Sequence, residues 1–308
     1  MILCCGEALI DMIPTATLSG IDGFVPHAGG AVFNTAIALG RLGASAGLLT
    51  GLSHDMFGAQ LDAALRASHV NTDHLVRCDR PTTLAFVQLT DGQARYSFMD
   101  ENSAGRMITA AELPAIAQDV TAMFFGGISL ASEPCANAYA TLSAREAAQR
   151  TIMLDPNIRT GFIRDTDRYR KRLAAMLSHT DIVKVSDEDL DWIVQGARST
   201  DAKAHDLLKF GPNVVIVTRG GKGATGYLHN GERIDVAAAQ VQVVDTVGAG
   251  DTFNAGFLAS LDEAGRLDKA SVRAMEADTL ERALGYGARV AAITVSRSGA
   301  NSPWISEL

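Results

Sequence analysis

The chain has 308 residues, 47% of them apolar, and its 35 aspartates and glutamates outnumber its 27 lysines and arginines, leaving a formal charge of -8. That excess excludes a broad nucleic-acid surface, although not a local basic pocket, and no uninterrupted apolar run reaches the roughly 18 residues of a membrane span. The length suffices for one large core, or for a large core with a small one appended.

Met1 to Cys5 is an apolar run without a basic leader, so it reads as a first strand and not as a signal peptide. Cys4, Cys5, Cys78 and Cys135 lack metal-site spacing, and neighbours in a strand point to opposite faces. Reduced structural thiols in a cytoplasmic protein are expected. Beyond the strand, Glu7 and Asp11 stand at its carboxyl side, where open α/β sheets collect ligands. Gly20 to Gly30 is glycine-rich, and Ala31 to Leu42 reads as a helix with Asn34 one turn inside. Gly29-Gly30 serves either as a simple turn or as a place where backbone approaches a ligand closely. Ala46 to Gly51 reads as a strand and Phe57 to Ser68 as a helix, with Asp55 as its cap and His54 on the surface.

The texture changes between about Val76 and Met99, where Thr82 to Leu89 and Ala94 to Met99 read as two strands around an Asp91-Gly92 turn. An antiparallel hairpin in an alternating chain suggests a flap over a substrate, or else an edge structure. Its exit, Asp100 to Met107, carries polar groups able to reach a hydroxylated molecule. Alternation then resumes: strand Thr121 to Phe125, helix Glu133 to Arg150, strand Thr151 to Leu154, helix Asp167 to Ser178, strand Asp181 to Val185. Asp155-Pro156-Asn157-Ile158-Arg159 follows one strand, and Arg159 could meet a phosphate, a substrate oxygen or a structural acid. Ser186 to Asp189 follows another, and either caps a helix from Leu190 to Gln195 or holds waters of a hydrated Mg²⁺. Asn213 to Thr218 is a strand running into Arg219 to Gly223, which lacks P-loop spacing; Gly223 to Leu228 and Glu232 to Val236 read as a small hairpin. Val272 to Ala292 has helical spacing with many small residues, and Ile293 to Val295 reads as extended. The alternation predicts one doubly wound α/β domain carrying a flap.

Acidic, glycine-rich and helix-starting signals coincide only between Val244 and Asn254. Val241 to Val244 reads as a strand end and Thr252 to Leu261 as a helix, so Gly248, Ala249 and Gly250 form a turn that aims successive N–H groups at one point, an anion site. Asp251 at the helix start is either an ordinary first-turn acid or a base beside that anion. The helix field should lower its pKa.

Gly29-Gly30-Ala31-Val32-Phe33-Asn34 and Asp245-Thr246-Val247-Gly248-Ala249-Gly250-Asp251, in this order and separation, resemble the two signatures of the PfkB, or ribokinase-like, carbohydrate kinases, and the likeness spans nearly the whole chain. Gly6 to Asp11, Asp100 to Met107, Asp155 to Arg159, Lys184 to Leu190 and Gly299 to Trp304 look like the bacterial fructokinases within it. The resemblance implies a Rossmann-like doubly wound sheet in a three-layer α/β/α core, a single domain over 1–308 with a small β lid from about 11–28 and 77–105. It implies ATP-dependent transfer to a sugar hydroxymethyl group, D-fructose to fructose 6-phosphate, with 2-keto-3-deoxygluconate and then ribose or nucleosides as the alternative acceptors. Asp251 would be the base, and Gly248, Ala249 and Gly250 the anion hole. Asp11, Gly29, Gly30, Asn34, Asn102, Arg106 and Arg159 would hold the sugar, and Lys184, Ser186, Thr218, Gly220, Gly223, Ile293 and Ser296 the nucleotide. Mg²⁺ would bridge the phosphates near Asp189 through water; Ser186 and Asp189 stand where the family usually has asparagine and glutamate. A monovalent cation, K⁺, would sit at Asp245 and the Val247 carbonyl. The partners expected are sugar and ATP, without nucleic acid or membrane, and a second copy paired through the β flap.

Overall fold

The computed structural model describes residues 1–90 and 93–308, without the side chains at 22, 88–90 and 93–95. The expected Asp91-Gly92 turn lies outside them.

The main sheet contains β1 (Ile2–Cys5), β4 (Ala46–Leu49), β9 (Ala122–Gly126), β10 (Thr151–Asp155), β11 (Ile182–Ser186), β12 (Val214–Thr218), β13 (Ala224–Leu228) and β14 (Arg233–Val236). Their order is β14-β13-β12-β11-β10-β9-β1-β4, parallel from β12 to β4 and antiparallel at the β13 and β14 edge. A parallel sheet covered on both faces needs strands apolar on both faces. Ile2, Leu3, Cys4 and Cys5 accordingly are all fully buried. Cys4 joins one core and Cys5 the other, as strand alternation requires.

On the Cys4 face pack α1 (Ala31–Arg41), α2 (Met56–Ala67), α7 (Ala249–Glu263), α8 (Lys269–Arg273) and α9 (Ala277–Val295). On the Cys5 face pack α3 (Cys135–Glu146), α4 (Thr166–Leu177), α5 (Asp187–Ile193) and α6 (Thr200–Leu208). The three-layer α/β/α arrangement follows. No described helix is long and apolar enough to cross a membrane.

A second sheet leaves the first directly after β1. It has the order β3-β2-β7-β8, from β2 (Leu9–Ala16), β3 (Asp22–Gly29), β7 (Leu84–Thr90) and β8 (Gln93–Met99). A short pair, β5 (Gly51–Ser53) with β6 (Val76–Cys78), links the two regions. The chain passes from β1 to β4 on one side and later to β9 on the other, so the connections diverge at the carboxyl ends of β1 and β9. Such a divergence opens a crevice.

Several local expectations fail. Val241 to Val244 is not a strand: it lies in the loop before α7, with Val243 and Val244 about 60% exposed, and Val244 N–H donates to the Val295 carbonyl at 2.8 Å instead of to a neighbouring strand. Val272 to Ala292 is interrupted, because Asp268 caps α8 through the N–H groups of Ala270 and Ser271 and α9 starts afresh after Glu276. Ile293 to Val295 is helical, not extended. Thr294 is buried there, and its hydroxyl donates to the Val290 carbonyl at 3.1 Å, so packing overrides β-branched preference. The α6 helix has no counterpart in the sequence reading.

The small residues of α9 bring it hard against α7. A methyl group on Gly287 would stand 2.8 Å from the Phe253 carbonyl oxygen, and one on Gly256 would stand 2.9 Å from Gly287 Cα. Gly285, on the same helix, faces open space. Gly287→Val should therefore destabilise the protein by roughly 1–3 kcal/mol or more, whereas Gly285→Ala should stabilise it by about 0.5–1 kcal/mol; urea unfolding of the two variants checks the contrast.

Candidate active site

The loop before α7 ends at Gly248, whose φ of 78° is left-handed. A side chain there would also strike Ala300, with its Cβ at 2.6 Å, so glycine is required twice over. In the turn that follows, Ala249 N–H donates to the Thr246 carbonyl at 3.3 Å. The N–H groups of Gly250 and Asp251 have no backbone partner among the described residues. These free donors stand at the positive end of a 15-residue helix, where an anion is favoured, in the turn that includes Gly248 to Gly250.

The start of α1 faces this turn. Gly30, at φ 108°, lets α1 begin against the Glu7 carbonyl, which would lie 3.0 Å from a Cβ. Asn34 Nδ2, in the first turn of α1, donates to Asp251 Oδ2 at 2.9 Å, and Thr35 Oγ1 donates to the Asp251 carbonyl at 3.2 Å. Asp251 is only 8% exposed. Burial pushes its carboxyl up to about 7; Asn34 and the Lys184 ammonium oppose the rise, while the negative charges of Asp155 and Glu7 add to it. The expected lowering by the helix field is thus overturned, because desolvation outweighs the dipole. Asp11 on β2 is likewise raised, to about 6, by burial. Its Oδ2 rests against Gly29, where any side chain would collide with it. Glu7 is buried beside Gly127, accepts from Ser129 N–H at 3.2 Å, and is raised by the same cause.

Asp11, Gly30, Asn34, Arg159, Lys184 and Val247 to Asp251 line one cavity of about 380 Å³ at the divergence of β1 and β9, together with Glu7, Gly127 and Asn157. Leu9, Asp11, Tyr96 and Phe98 of the second sheet form one wall. Arg106 and Asn102 are elsewhere. Arg106 donates to Asp100 at 2.8 Å and to the Glu133 carbonyl at 3.1 Å, and faces a neighbouring cavity of about 470 Å³ behind Tyr96, Phe98 and Phe162. Asn102 is exposed and accepts from Arg80.

The other expected nucleotide residues lie at the carboxyl ends of β11 and β12, in the turn leading into β13 and at the end of α9, outside that cavity. Ser186 caps α5, accepting from Asp189 N–H at 3.0 Å, and sits in register beside Thr218. Gly220 and Gly223 have φ of 51° and 87°, and a side chain on Gly223 would collide with the Val236 carbonyl. Ser296 ends α9, its hydroxyl donating to the Ile293 carbonyl at 2.7 Å. Asp189 is buried and accepts from Ile158 N–H at 3.1 Å, which clamps the loop after β10; burial raises its pKa, and nearby Asp155 adds to the rise. Asp245 ties two turns, Oδ1 accepting from Val247 N–H at 3.0 Å and Oδ2 from Gly299 N–H at 2.9 Å. Among the described residues no group of three or more His, Cys, Asp or Glu could hold a metal.

Asp155 and Asn254 fall within stretches that the sequence singles out, but nothing there assigns either a role. Asp155 Oδ2 accepts from Lys184 Nζ at 2.9 Å and from Asn254 Nδ2 at 2.7 Å, all three groups buried. The available signal was spacing: Asn254 lies three residues after Asp251, on the same face of a helix. Tyr96, Phe98 and Phe162 carried no signal, since they converge only through tertiary structure.

A buried carboxylate next to free helix N-terminal amides, in a crevice open to the strand ends of a three-layer α/β/α fold, supplies the groups that phosphoryl transfer needs. The profile of the pfkB family carbohydrate kinases matches residues 1–307. The chain belongs to that family. It is 51% identical over 281 residues, 91% of this chain and 85% of the relative, to a fructokinase of Rhizobium leguminosarum bv. trifolii. It is 34% identical over 304 residues, 96% of this chain and 91% of the relative, to fructokinase-1 of Oryza sativa subsp. japonica. The crystal structure of a Xylella fastidiosa fructokinase with bound ATP superposes with a TM-score of 0.91 at 30% identity, covering 99% of this chain and 96% of that one.

In the folded protein Asp251 keeps its proton up to about pH 7, whereas in an unfolded chain a carboxyl keeps it only to about 4. Between those values the native state binds more protons, so this group's contribution to stability falls as pH rises. At pH 8 Asp251→Asn should then be more stable than the wild type by roughly 1–4 kcal/mol, and by progressively less toward pH 4; melting temperatures across that range provide the check.

Proposed function

We propose that the chain is an ATP-dependent fructokinase that phosphorylates D-fructose to fructose 6-phosphate, with Asp251 as the base. The observation that carries the site reading is the buried Asp251 carboxylate, raised to about 7, beside the unpartnered N–H groups of Gly250 and Asp251. Identity of 51% to a fructokinase over most of both chains supports the substrate. The sugar hydroxyl oxygen attacks the γ-phosphorus, the bond to the β-γ bridging oxygen breaks, ADP leaves, and the hydroxyl proton passes to Asp251. The two amides offset charge developing on the transferred group.

Asp11, Asn34, Arg159 and the backbone at Gly30 are placed to hold sugar hydroxyls. Three carboxylates, Glu7, Asp11 and Asp251, face this cavity, and its cations are the exposed Arg159 and the buried Lys184, which is already bonded to Asp155. An uncharged acceptor therefore fits better than 2-keto-3-deoxygluconate, whose carboxylate would add to the negative charge. The second sheet, which supplies one wall, serves as the lid, and the exposed Phe24, Val25, Tyr96 and Met99 make it the surface through which two copies would pair.

The exposed valines at 241, 243 and 244 precede α7, with Val244 bonded to the Val295 carbonyl at the end of α9, and suit the apolar face of a purine. Ser186, Thr218, Gly220, Gly223, Ile293 and Ser296 frame the same side. Magnesium would arrive held by the phosphates and water, supplying positive charge there. That fits a protein whose Asp155 and Asp189 are already bonded internally. A potassium ion would take Asp245 and the Val247 carbonyl, sharing a carboxylate that already receives two N–H groups.

Fructose should elicit ADP production from Mg-ATP, with ³¹P NMR placing the phosphate at C6; strong turnover confined to 2-keto-3-deoxygluconate or ribose would overturn the substrate. The kcat/KM for fructose should fall about tenfold per pH unit below roughly pH 7. Asp251→Asn should fold and lose about 10² or more in kcat, and near-normal turnover would reject its role.

A further inference from the structure

At the cavity wall one buried ammonium, Lys184, stands near three buried carboxylates, Asp155, Asp189 and Asp251. It bonds to Asp155 Oδ2 at 2.9 Å, and Asp251 receives Asn34 instead. Yet the ammonium is close to the catalytic turn, since a methyl group on Gly250, next to Asp251, would lie 3.2 Å from Lys184 Nζ. Asn254 reinforces the same choice. Its Nδ2 donates to Asp155 Oδ2 at 2.7 Å, and Asp155 Oδ1 accepts from Asn157 N–H at 3.1 Å. The Oδ1 of Asn254 is buried without a hydrogen-bond partner among the described residues. Turning the amide over would set that oxygen against the Asp155 carboxylate, so the interaction with Asp155 dictates the orientation even though it leaves an acceptor unsatisfied.

We propose that Asp155 and Asn254 are positioning residues that hold Lys184 off Asp251, keeping the catalytic carboxylate free to accept a proton while the ammonium stays beside the anion turn. The proposal rests on the reading of Asp251 as the base. An ammonium paired directly with Asp251 would favour its charged form and make it a weaker base. The same pairing would divert from the transferred phosphoryl group a cation that now lines the cavity. Removing one partner of a buried ion pair leaves a charge that must find another. The charged groups acting on Asp251 are Asp155 from β10, Lys184 from β11 and Glu7 from the loop after β1; Asp11 from β2 and Arg159 from the loop after β10 line the same cavity, and Asp189 from α5 lies near Asp155 and Lys184. Lys184 is the buried cation of this set, and Arg159 donates to the Ile158 carbonyl at 3.1 Å. The opposing effects of Asp155 and Lys184 on Asp251 have the signs the proposal requires.

The test is the pH dependence of kcat/KM for fructose in wild type, Asp155→Asn, Asn254→Leu and Asp251→Asn, with near-UV circular dichroism to establish folding. In Asp155→Asn the acid limb should move to lower pH by about one unit or more, with a lower plateau kcat. In Asn254→Leu it should move the same way by less. Loss of the Asp155 charge by itself also lowers the limb in Asp155→Asn, so Asn254→Leu, which removes no charge, carries the distinction: a merely structural role there would lower the melting temperature and leave the limb in place. An unmoved limb in folded Asn254→Leu overturns the proposal, as does an unmoved or raised limb in folded Asp155→Asn. Unmoved limbs with inactive Asp251→Asn remove this proposal alone, whereas a flat wild-type profile with active Asp251→Asn removes the base reading and this proposal with it.

Discussion

The hydrogen bond from Asn34 to Asp251 joins the first turns of α1 and α7, and the rest of the site is arranged around it. Both helices start at the crevice between β1 and β9, each after a glycine with positive φ, and Thr35 fastens the Asp251 carbonyl from the same side. One hydrogen bond to a charged group stabilises by about 1.5–3 kcal/mol. That does not offset full burial of a carboxylate, which is why Asp251 titrates near neutrality instead of at the usual carboxyl value. The site thus holds a group at some cost to stability, and close packing of α7 on α9 at Gly256 and Gly287 keeps it there.

The second sheet grows from the same crevice. Because β2 begins four residues after β1 ends, the linking segment brings Glu7 to the cavity just ahead of Asp11, which lines it from β2. Gly29, on β3 opposite, gives the Asp11 carboxylate the room it needs. Tyr96 and Phe98 then arrive from β8 and meet Phe162 from the loop after β10, with Phe98 and Phe162 edge-to-face at 4.3 Å. These three rings divide the cavity that holds Asp251 from the neighbouring one that contains Arg106, and account for that arginine's separation from Asp251.

Strands that lie in the middle of the main sheet were legible because burial on both faces leaves unbroken apolar runs, as in Val214 to Thr218. The Asp55 and Ser186 caps were legible because a cap is a local hydrogen bond, and both form. The valines at 241 to 244 misled because β-branched residues signal a strand whether or not a neighbouring strand is present to pair with them. Ile293 to Val295 misled for the converse reason: their place on a helix is decided by what lies beneath Thr294.

By itself the sequence determined the α/β alternation, the glycine turn at the start of α7 and the acid that follows it, since each depends on backbone geometry within a few residues. Only the tertiary structure decided that desolvation outweighs the helix field at Asp251, that the Lys184 ammonium goes to Asp155, and that Arg106 turns away. Those outcomes depend on distances between groups up to 217 positions apart in the chain, as for Asn34 and Asp251. Desolvation and charge pairing act through space, and residue order carries neither.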